Sequence, residues 1–217
     1  MIIGVFDSGM GGKTVLEEIK KEVPSARYYY VADKENCPYG EKDDETLYRI
    51  VKNIVTNLID TCKAEIIVIA CNTATTRCIK KLREDFPDTP FVGTEPAVKL
   101  AANSDAKKIL VLATPGTIHS ERLEALVKDN QKDGQTINLL ACPGLADTIE
   151  FNLDEDNAKI DQKLDELLKE VDRDYDAVVL GCTHYSLIKP MIQKYFVAAK
   201  LIDGNEGIAR RVKSLIK

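Results

Sequence analysis

Short runs of β-branched and other apolar residues alternate with amphipathic stretches along the 217-residue chain. In the amphipathic stretches, apolar residues recur every three or four positions. The predicted helical faces are Val15, Leu16, Ile19 and Val23; Leu47, Ile50, Val51, Ile54, Leu58 and Cys62; Leu164, Leu167, Leu168 and Val171; and Ile208, Val212 and Leu215. Such alternation of strands and helices is typical of βαβ units and a mostly parallel sheet. The apolar runs predict strands at Ile2–Phe6, Tyr28–Val31, Ile66–Ala70, Phe91–Gly93, Ile109–Ala113, Ile137–Ala141, Ala177–Leu180 and Leu201–Ile202.

The arrangement occurs twice. Ile3–Gly9 opens the first half, Ile109–Thr117 opens the second in the same way, and each half later supplies a strand that ends in a cysteine. We therefore predict an α/β fold of two similar lobes related by a pseudo-two-fold axis, with the active site in the cleft between them. Each lobe is expected to be a mostly parallel sheet flanked by helices. The predicted lobes are residues 1–95 with 203–217, and residues 96–202.

Two cysteines follow hydrophobic strands directly. Cys71 comes directly after Ile66–Ala70, and Cys182 is separated from Ala177–Leu180 by Gly181 alone. Ligands of open parallel sheets bind at the carboxyl ends of the strands, which is where both thiols are expected. Thiols on opposite sides of one ligand would suit an enzyme that removes a proton from one face of a carbon and returns one to the other. The competing interpretation is that each cysteine is packed as a small hydrophobic residue.

Polar residues follow both thiols. Asn72 and Thr73 come after Cys71 at a predicted helix start, where they suit a carboxylate ligand and where the helix end favours a thiolate. His184 lies two residues after Cys182, which suggests an activated nucleophile or a base with a proton partner. The alternative is a core cysteine beside a surface histidine.

A glycine-rich turn, Asp7–Gly12, follows the first strand. Its glycines allow close approach of the backbone to a ligand, and the helix behind it offers N–H groups to an anion. The turn does not fit the dinucleotide-binding GxGxxG pattern, because Thr14 stands at the third glycine position. The alternative is a tight turn in which Asp7 or Ser8 caps the helix.

Charge and composition exclude several classes of function. The net charge of -5 and the lack of a Lys/Arg run argue against nucleic acid as a partner. No apolar run approaches the roughly 20 residues of a membrane span, and the first run is too short for a signal peptide. We therefore expect a cytoplasmic protein.

The cysteine pattern predicts reduced thiols. The six cysteines are scattered and contain no CxxC pair, which argues against a disulfide framework. With only two histidines, a His/Cys metal site is not expected. The four cysteines other than Cys71 and Cys182 are assigned to packing: Cys37, Cys62, Cys78 and Cys142.

Taken together, these segments resemble the aspartate/glutamate racemase superfamily, and most closely its glutamate racemases. The matching segments occur in the family's order and span almost the whole chain. They are GVFDSGMGG (Gly4–Gly12), YVADKENCPYGEK (Tyr30–Lys42), IACNTAT (Ile69–Thr75), ATPGT (Ala113–Thr117), LGCTHY (Leu180–Tyr185) and LIDGNEGIARR (Leu201–Arg211).

The resemblance implies a racemase without a cofactor that interconverts L- and D-glutamate through two cysteine bases, for peptidoglycan synthesis. Cys71 and Cys182 match the bases, Asp7 the acid beside the first, and His184 the group beside the second. Glu150 falls where the family has a further catalytic carboxylate. The positions that match substrate-binding residues are Ser8, Pro38, Tyr39, Gly40, Asn72, Thr73, Thr117 and Thr183.

The chain departs from the family pattern at Lys13, at Leu145–Glu150 and at Asp203–Glu206. It is also shorter at its C-terminus than the family's glutamate racemases. A homodimer of the family type is therefore an open expectation. Three alternatives remain at this point. One is another enzyme of the superfamily, either an aspartate or broad-specificity racemase or, less in keeping with two cysteines, a decarboxylase that uses one. Another is a non-catalytic amino-acid-binding protein on the same fold, and the third is a cysteine hydrolase built on Cys182 and His184.

Overall fold

The computed structural model describes residues 1–153 and 155–216, which form two parallel four-stranded sheets flanked by helices. The strands are β1 (Ile2–Asp7), β2 (Arg27–Ala32), β3 (Ile66–Ile69), β4 (Phe91–Gly93), β5 (Lys108–Ala113), β6 (Thr136–Ala141), β7 (Ala177–Leu180) and β8 (Lys200–Ile202). The helices are α1 (Lys13–Glu22), α2 (Asp44–Asp60), α3 (Asn72–Asp85), α4 (Val98–Ala102), α5 (Pro115–Ile118), α6 (Glu121–Asn130), α7 (Leu145–Asn152), α8 (Asn157–Leu168), α9 (Thr183–Leu187), α10 (Lys189–Tyr195) and α11 (Asn205–Ser214).

The chain divides into two compact units. The first comprises Met1–Glu95 together with the segment that begins at Gly204, and the second comprises Pro96–Asp203. Asp203, which the sequence grouped with the first lobe, packs with the second unit. Its carboxylate accepts a hydrogen bond from Ser186 Oγ and forms an ion pair with Lys189.

In the first unit the strand order is β2-β1-β3-β4, with all pairs parallel. Side chains alternate between the two faces of a strand, so each face has its own apolar layer. Phe6, Ile67 and Ile69 pack against α2 and α3 on one face. Val5 and Val68 pack against α1 and α11 on the other.

The second unit repeats this arrangement with the strand order β6-β5-β7-β8, again all parallel. Leu112 and Leu180 face a layer formed by α7, α8, α9 and α10. Val111 and Val179 face the opposite layer, to which α4 and α6 contribute. The equivalent strand orders confirm the predicted α/β fold with two similar parallel sheets.

The predicted strands agree with the observed ones to within one residue at each end. Four apolar positions assigned to helical faces lie outside their helices, because α1 ends at Glu22, α2 at Asp60, α8 at Leu168 and α11 at Ser214. All four nevertheless pack in or against the core layers: Val23, Cys62, Val171 and Leu215. Within the described ranges, no helix has both the length and the apolar character needed to cross a membrane.

Candidate active site

In the first unit, the loop after β1 is held by the Asp7 carboxylate. Asp7 is fully buried, and its Oδ2 accepts a hydrogen bond from the Gly12 N–H at 2.7 Å, directly before α1. A Cβ atom at Gly12 would lie 2.6 Å from Asp7 Cβ and 2.9 Å from the Tyr30 hydroxyl oxygen. Glycine is therefore required here to let the turn close on the carboxylate. The carboxylate thus binds the main chain of the turn at Gly12, the residue directly before α1, although Asp7 is not itself the N-cap of that helix.

Cys71 lies at the same carboxyl edge of this sheet, at the N-cap of α3. It is buried, and its Sγ lies 3.8 Å from Ser8 Oγ, at the long limit of a sulfur hydrogen bond. Asn72 and Thr73, both buried, form the first turn of the helix. The thiol therefore lies beside a hydroxyl, at the N-terminus of a helix whose first residues are an asparagine and a threonine, a setting that suits a carboxylate ligand.

The first turn of α3 is fixed to the sheet by Thr75. Its hydroxyl donates to the Ile69 carbonyl oxygen at 3.2 Å and accepts from the Thr94 N–H at 3.1 Å. These two bonds connect the helix to the end of β3 and to the residue after β4. The position of the Cys71 thiol is therefore set by two strands as well as by its own helix.

Tyr39 lies in the same buried apolar cluster as Cys71 and is almost inaccessible to solvent. Its phenol donates a hydrogen bond to Asp33 Oδ2 at 2.7 Å. Burial and this bond to a carboxylate raise the pKa of Tyr39 far above its ordinary value, so the side chain stays neutral. Pro38 and Gly40 flank it and are half-buried.

In the second unit, three buried side chains form a chain of contacts at the carboxyl edge of the sheet. Cys182, at the N-cap of α9, has its Sγ 3.8 Å from His184 Nδ1. The other ring nitrogen, His184 Nε2, lies 2.8 Å from Glu150 Oε2 on α7. When Nε2 carries the proton, it donates to the carboxylate and leaves Nδ1 to accept from the thiol.

This Cys–His–Glu arrangement can move a proton on and off the thiol. The same groups would suit a general base or a cysteine nucleophile. Thr183 forms the buried first residue of α9. Thr117 is buried in α5, which follows β5 at the same edge, and its Oγ1 accepts from the Thr114 hydroxyl at 3.1 Å.

Sequence reasoning did not single out Asp33 and Arg77. Asp33 immediately follows β2, so its position after an apolar strand was an available signal. Arg77 lies in the second turn of α3 and binds the main chain of the loop that carries Tyr39. One arginine on a helix gives no sequence signal for such a contact.

Of the four cysteines assigned to packing, Cys78 and Cys142 are buried, while Cys37 and Cys62 are half-buried. Burial raises the pKa of Cys78 to about 12 and that of Cys142 to about 12. Across residues 1–153 and 155–216, no group of three or more His, Cys, Asp or Glu side chains is placed to hold a metal ion.

This fold, two parallel four-stranded sheets flanked by helices, matches solved racemase structures. The sequence profile of the Asp/Glu/Hydantoin racemase family matches residues 3–212. The chain belongs to this family.

Within the family, the chain is similar to proteins named glutamate racemase. It is 38% identical to the glutamate racemase of Sulfurovum sp. (strain NBC37-1) over 99% of this chain and 82% of that protein.

The crystal structure of Escherichia coli glutamate racemase, in complex with L-glutamate and the activator UDP-MurNAc-ala, superposes with a TM-score of 0.89. It is 34% identical over 99% of this chain and 81% of that one. The Francisella tularensis enzyme in complex with D-glutamate gives a TM-score of 0.83, with 29% identity over 99% of this chain and 80% of the other.

Proposed function

We propose that this protein interconverts L- and D-glutamate without a cofactor, with Cys71 and Cys182 as its two bases. The observation that carries the proposal is a buried thiol at the carboxyl edge of each sheet in a chain of the racemase family. The resemblance to glutamate racemases whose structures contain L-glutamate or D-glutamate supports the choice of substrate.

In the proposed reaction, one cysteine acts as a thiolate and removes the α-proton of glutamate. The electron pair of the broken C–H bond is delocalised into the α-carboxylate. The other cysteine, as a thiol, then donates its proton to the opposite face of the α-carbon. The product is the other enantiomer, and the two sulfurs have exchanged protonation states.

The two thiols have different proton partners in this proposal. Cys71 lies beside the Ser8 hydroxyl, and the resemblance assigns the buried Asp7 carboxylate to it as an acid. Cys182 lies beside His184, whose other ring nitrogen is held by Glu150. A thiolate next to an imidazole held by a carboxylate is stabilised when the ring is protonated. We infer that His184 regulates the proton of Cys182, and that Glu150 fixes the orientation of the ring.

The remaining predicted site residues are proposed to bind the substrate. Negative charge grows on the α-carboxylate during proton removal, so preorganised hydrogen-bond donors at that position accelerate the reaction. The residues proposed to contact or enclose glutamate are Ser8, Pro38, Tyr39, Gly40, Asn72, Thr73, Thr117 and Thr183. We further propose that the enzyme acts in the cytoplasm and supplies D-glutamate for peptidoglycan synthesis, with neither nucleic acid nor membrane as a partner.

A polarimetric or circular dichroism assay tests the substrate. Purified protein is mixed separately with L-glutamate, D-glutamate, L-aspartate and D-aspartate in the absence of any cofactor. The proposal predicts that both glutamate solutions lose their optical signal completely, since the enantiomers have equal free energies, while the aspartate solutions keep theirs. Racemisation of aspartate alone would assign a different substrate, and no change in any solution would contradict a catalytic role on acidic amino acids.

A further inference from the structure

The guanidinium of Arg77, on α3, contacts three oxygen atoms of a segment outside its own helix. Its NH2 donates to the Lys42 carbonyl oxygen at 2.7 Å, and its NH1 lies 3.4 Å from the Tyr39 carbonyl oxygen. Its Nε donates to Asp44 Oδ1 at 2.6 Å. Only 13% of the Arg77 side chain is exposed, although it carries a permanent charge. All three acceptors lie on the segment from Tyr39 to the first residue of α2.

Of the three contacts, the two with main-chain carbonyl oxygens are expected to contribute most to holding the segment in place. The Asp44 side chain is 84% exposed, and an ion pair in such a position contributes little stability. Bonds from a cation to half-buried carbonyl oxygens are charge-assisted and are less easily replaced by water. The planar guanidinium reaches both carbonyls at once, which a lysine ammonium on a flexible stem does less well.

The held loop carries three proposed substrate-binding residues, Pro38, Tyr39 and Gly40. Tyr39 is also held by its phenol, which donates to Asp33. The loop is therefore fixed at two points: the Tyr39 side chain is anchored after β2, and the main chain from Tyr39 to Lys42 is anchored to α3. Removal of the second point would leave the Tyr39 ring in place and free the backbone around it.

The same helix carries the first thiol. Arg77 lies six residues after Cys71, roughly 9 Å further along the axis of α3. The first turn of α3 is tied to β3 and to the residue after β4 by Thr75. A rigid helix therefore connects the proposed catalytic sulfur to the arginine that holds the loop.

We propose that Arg77 is a positioning residue: it sets the place of the loop 38–42 relative to the Cys71 thiol, and so determines how tightly the substrate is held. This inference rests on the proposed function, because it assigns the loop to substrate binding. Arg77 itself touches no reacting atom in this scheme.

The test compares two arginines on the same helix. Arg83, on α3, donates from its NH2 to the Phe91 carbonyl oxygen at 3.1 Å and does not contact the loop. Arg77→Gln is expected to raise the KM for L- and D-glutamate on the order of tenfold, with kcat within about threefold of wild type, since ground-state positioning is lost. Arg83→Gln is expected to leave KM within about twofold, and Arg77→Lys to give an intermediate KM.

A second readout does not depend on activity. Limited trypsin digestion of the full chain measures cleavage after Lys42, which requires the loop to open locally. Arg77→Gln is expected to speed this cleavage several-fold relative to Arg83→Gln and wild type, with the far-UV circular dichroism spectrum unchanged. Asp44→Asn, which removes only the exposed ion pair, is expected to behave like wild type in both assays.

Equal KM values for Arg77→Gln and wild type, or the same rise in KM for Arg83→Gln, would overturn the positioning role. If the wild-type protein does not racemise glutamate, the proposed function is contradicted separately from the role of Arg77. The trypsin digestion then tests whether Arg77 holds the loop 38–42. Cleavage after Lys42 at the wild-type rate in Arg77→Gln would show that the guanidinium does not hold the loop.

Discussion

The two thiols at the sheet edges differ in their neighbours. Cys182 lies beside an imidazole that is held by a buried carboxylate, whereas Cys71 lies beside a hydroxyl. A two-base mechanism requires both sulfurs, whatever their partners, because each turnover uses one as base and the other as acid.

Cys71→Ser and Cys182→Ser are each expected to lower kcat by at least about a thousandfold, since a hydroxyl is a far poorer base than a thiolate. Cys62→Ser is the matched control, because Cys62 is half-buried just beyond α2 and should keep wild-type activity. Racemisation is measured in both directions, and thermal unfolding checks the fold. Full activity in either of the first two variants would remove that sulfur from the mechanism.

The buried packing thiols give a pH-dependent prediction. Burial raises the pKa of Cys78 and of Cys142 to about 12, compared with about 8.5 for an exposed thiol. The native protein therefore holds both as thiols at pH 8, and iodoacetamide should leave them unlabelled, while in urea both should react. Mass spectrometry of tryptic peptides distinguishes the two outcomes.

The same shift has a consequence for stability. The folded state favours the protonated thiols, so their contribution to the free energy of unfolding is complete below about pH 8.5 and is lost progressively as the pH rises towards about 12.

In the labelling experiment, reaction of Cys78 or Cys142 in the native protein as fast as in urea would contradict the burial of that thiol.

Individual residues of the candidate site were predictable from sequence where they lie at the end of an apolar strand or just after it. Asp7, Cys71 and Cys182 all lie at or just after such a strand end. Glu150 was not selected by local pattern, because its partner His184 is 34 residues away along the chain. The contacts of Arg77 span 35 residues or more to the loop, and local pattern carries no information at that distance.

At the scale of elements, apolar runs located the strands well, and helical periodicity identified α1, α2, α8 and α11. Periodicity did not identify α5 and α9, because helices of four and five residues complete little more than one turn. Their positions follow instead from the strands before them, which direct Thr117 and Thr183 to the sheet edge.

Substitutions of two glycines are expected to change stability in opposite directions. Gly12 lies directly before α1, and Gly207 lies within α11. Gly12→Ala would bring a Cβ to 2.6 Å from Asp7 Cβ and 3.0 Å from Ala70 Cβ, so it should destabilise the fold by about 1–3 kcal/mol and lower activity. Gly207→Ala, in α11, meets no other atom within 4 Å and should stabilise the fold by about 0.5–1 kcal/mol. Urea unfolding measures both, and a neutral Gly12→Ala would contradict the close approach of the turn to Asp7.

For the whole molecule, the sequence indicated two similar α/β parts because strand-ending cysteines and their preceding strands recur. It did not indicate the strand orders β2-β1-β3-β4 and β6-β5-β7-β8, since a run of apolar residues carries no record of its neighbour in the sheet. It also did not show which helices cover which face. Those features depend on how the apolar layers pack in three dimensions.

The most direct test of the proposed mechanism is the fate of the α-proton in deuterated water. L-Glutamate is incubated with the enzyme for a small fraction of one equilibration, and both enantiomers are then separated and analysed by mass spectrometry. A two-thiol mechanism predicts one deuterium in the D-glutamate formed, while the remaining L-glutamate keeps its proton, because each face is served by a different sulfur. Deuterium appearing in L-glutamate as fast as D-glutamate forms would indicate a single base, and no exchange at all would contradict racemisation of glutamate by this protein.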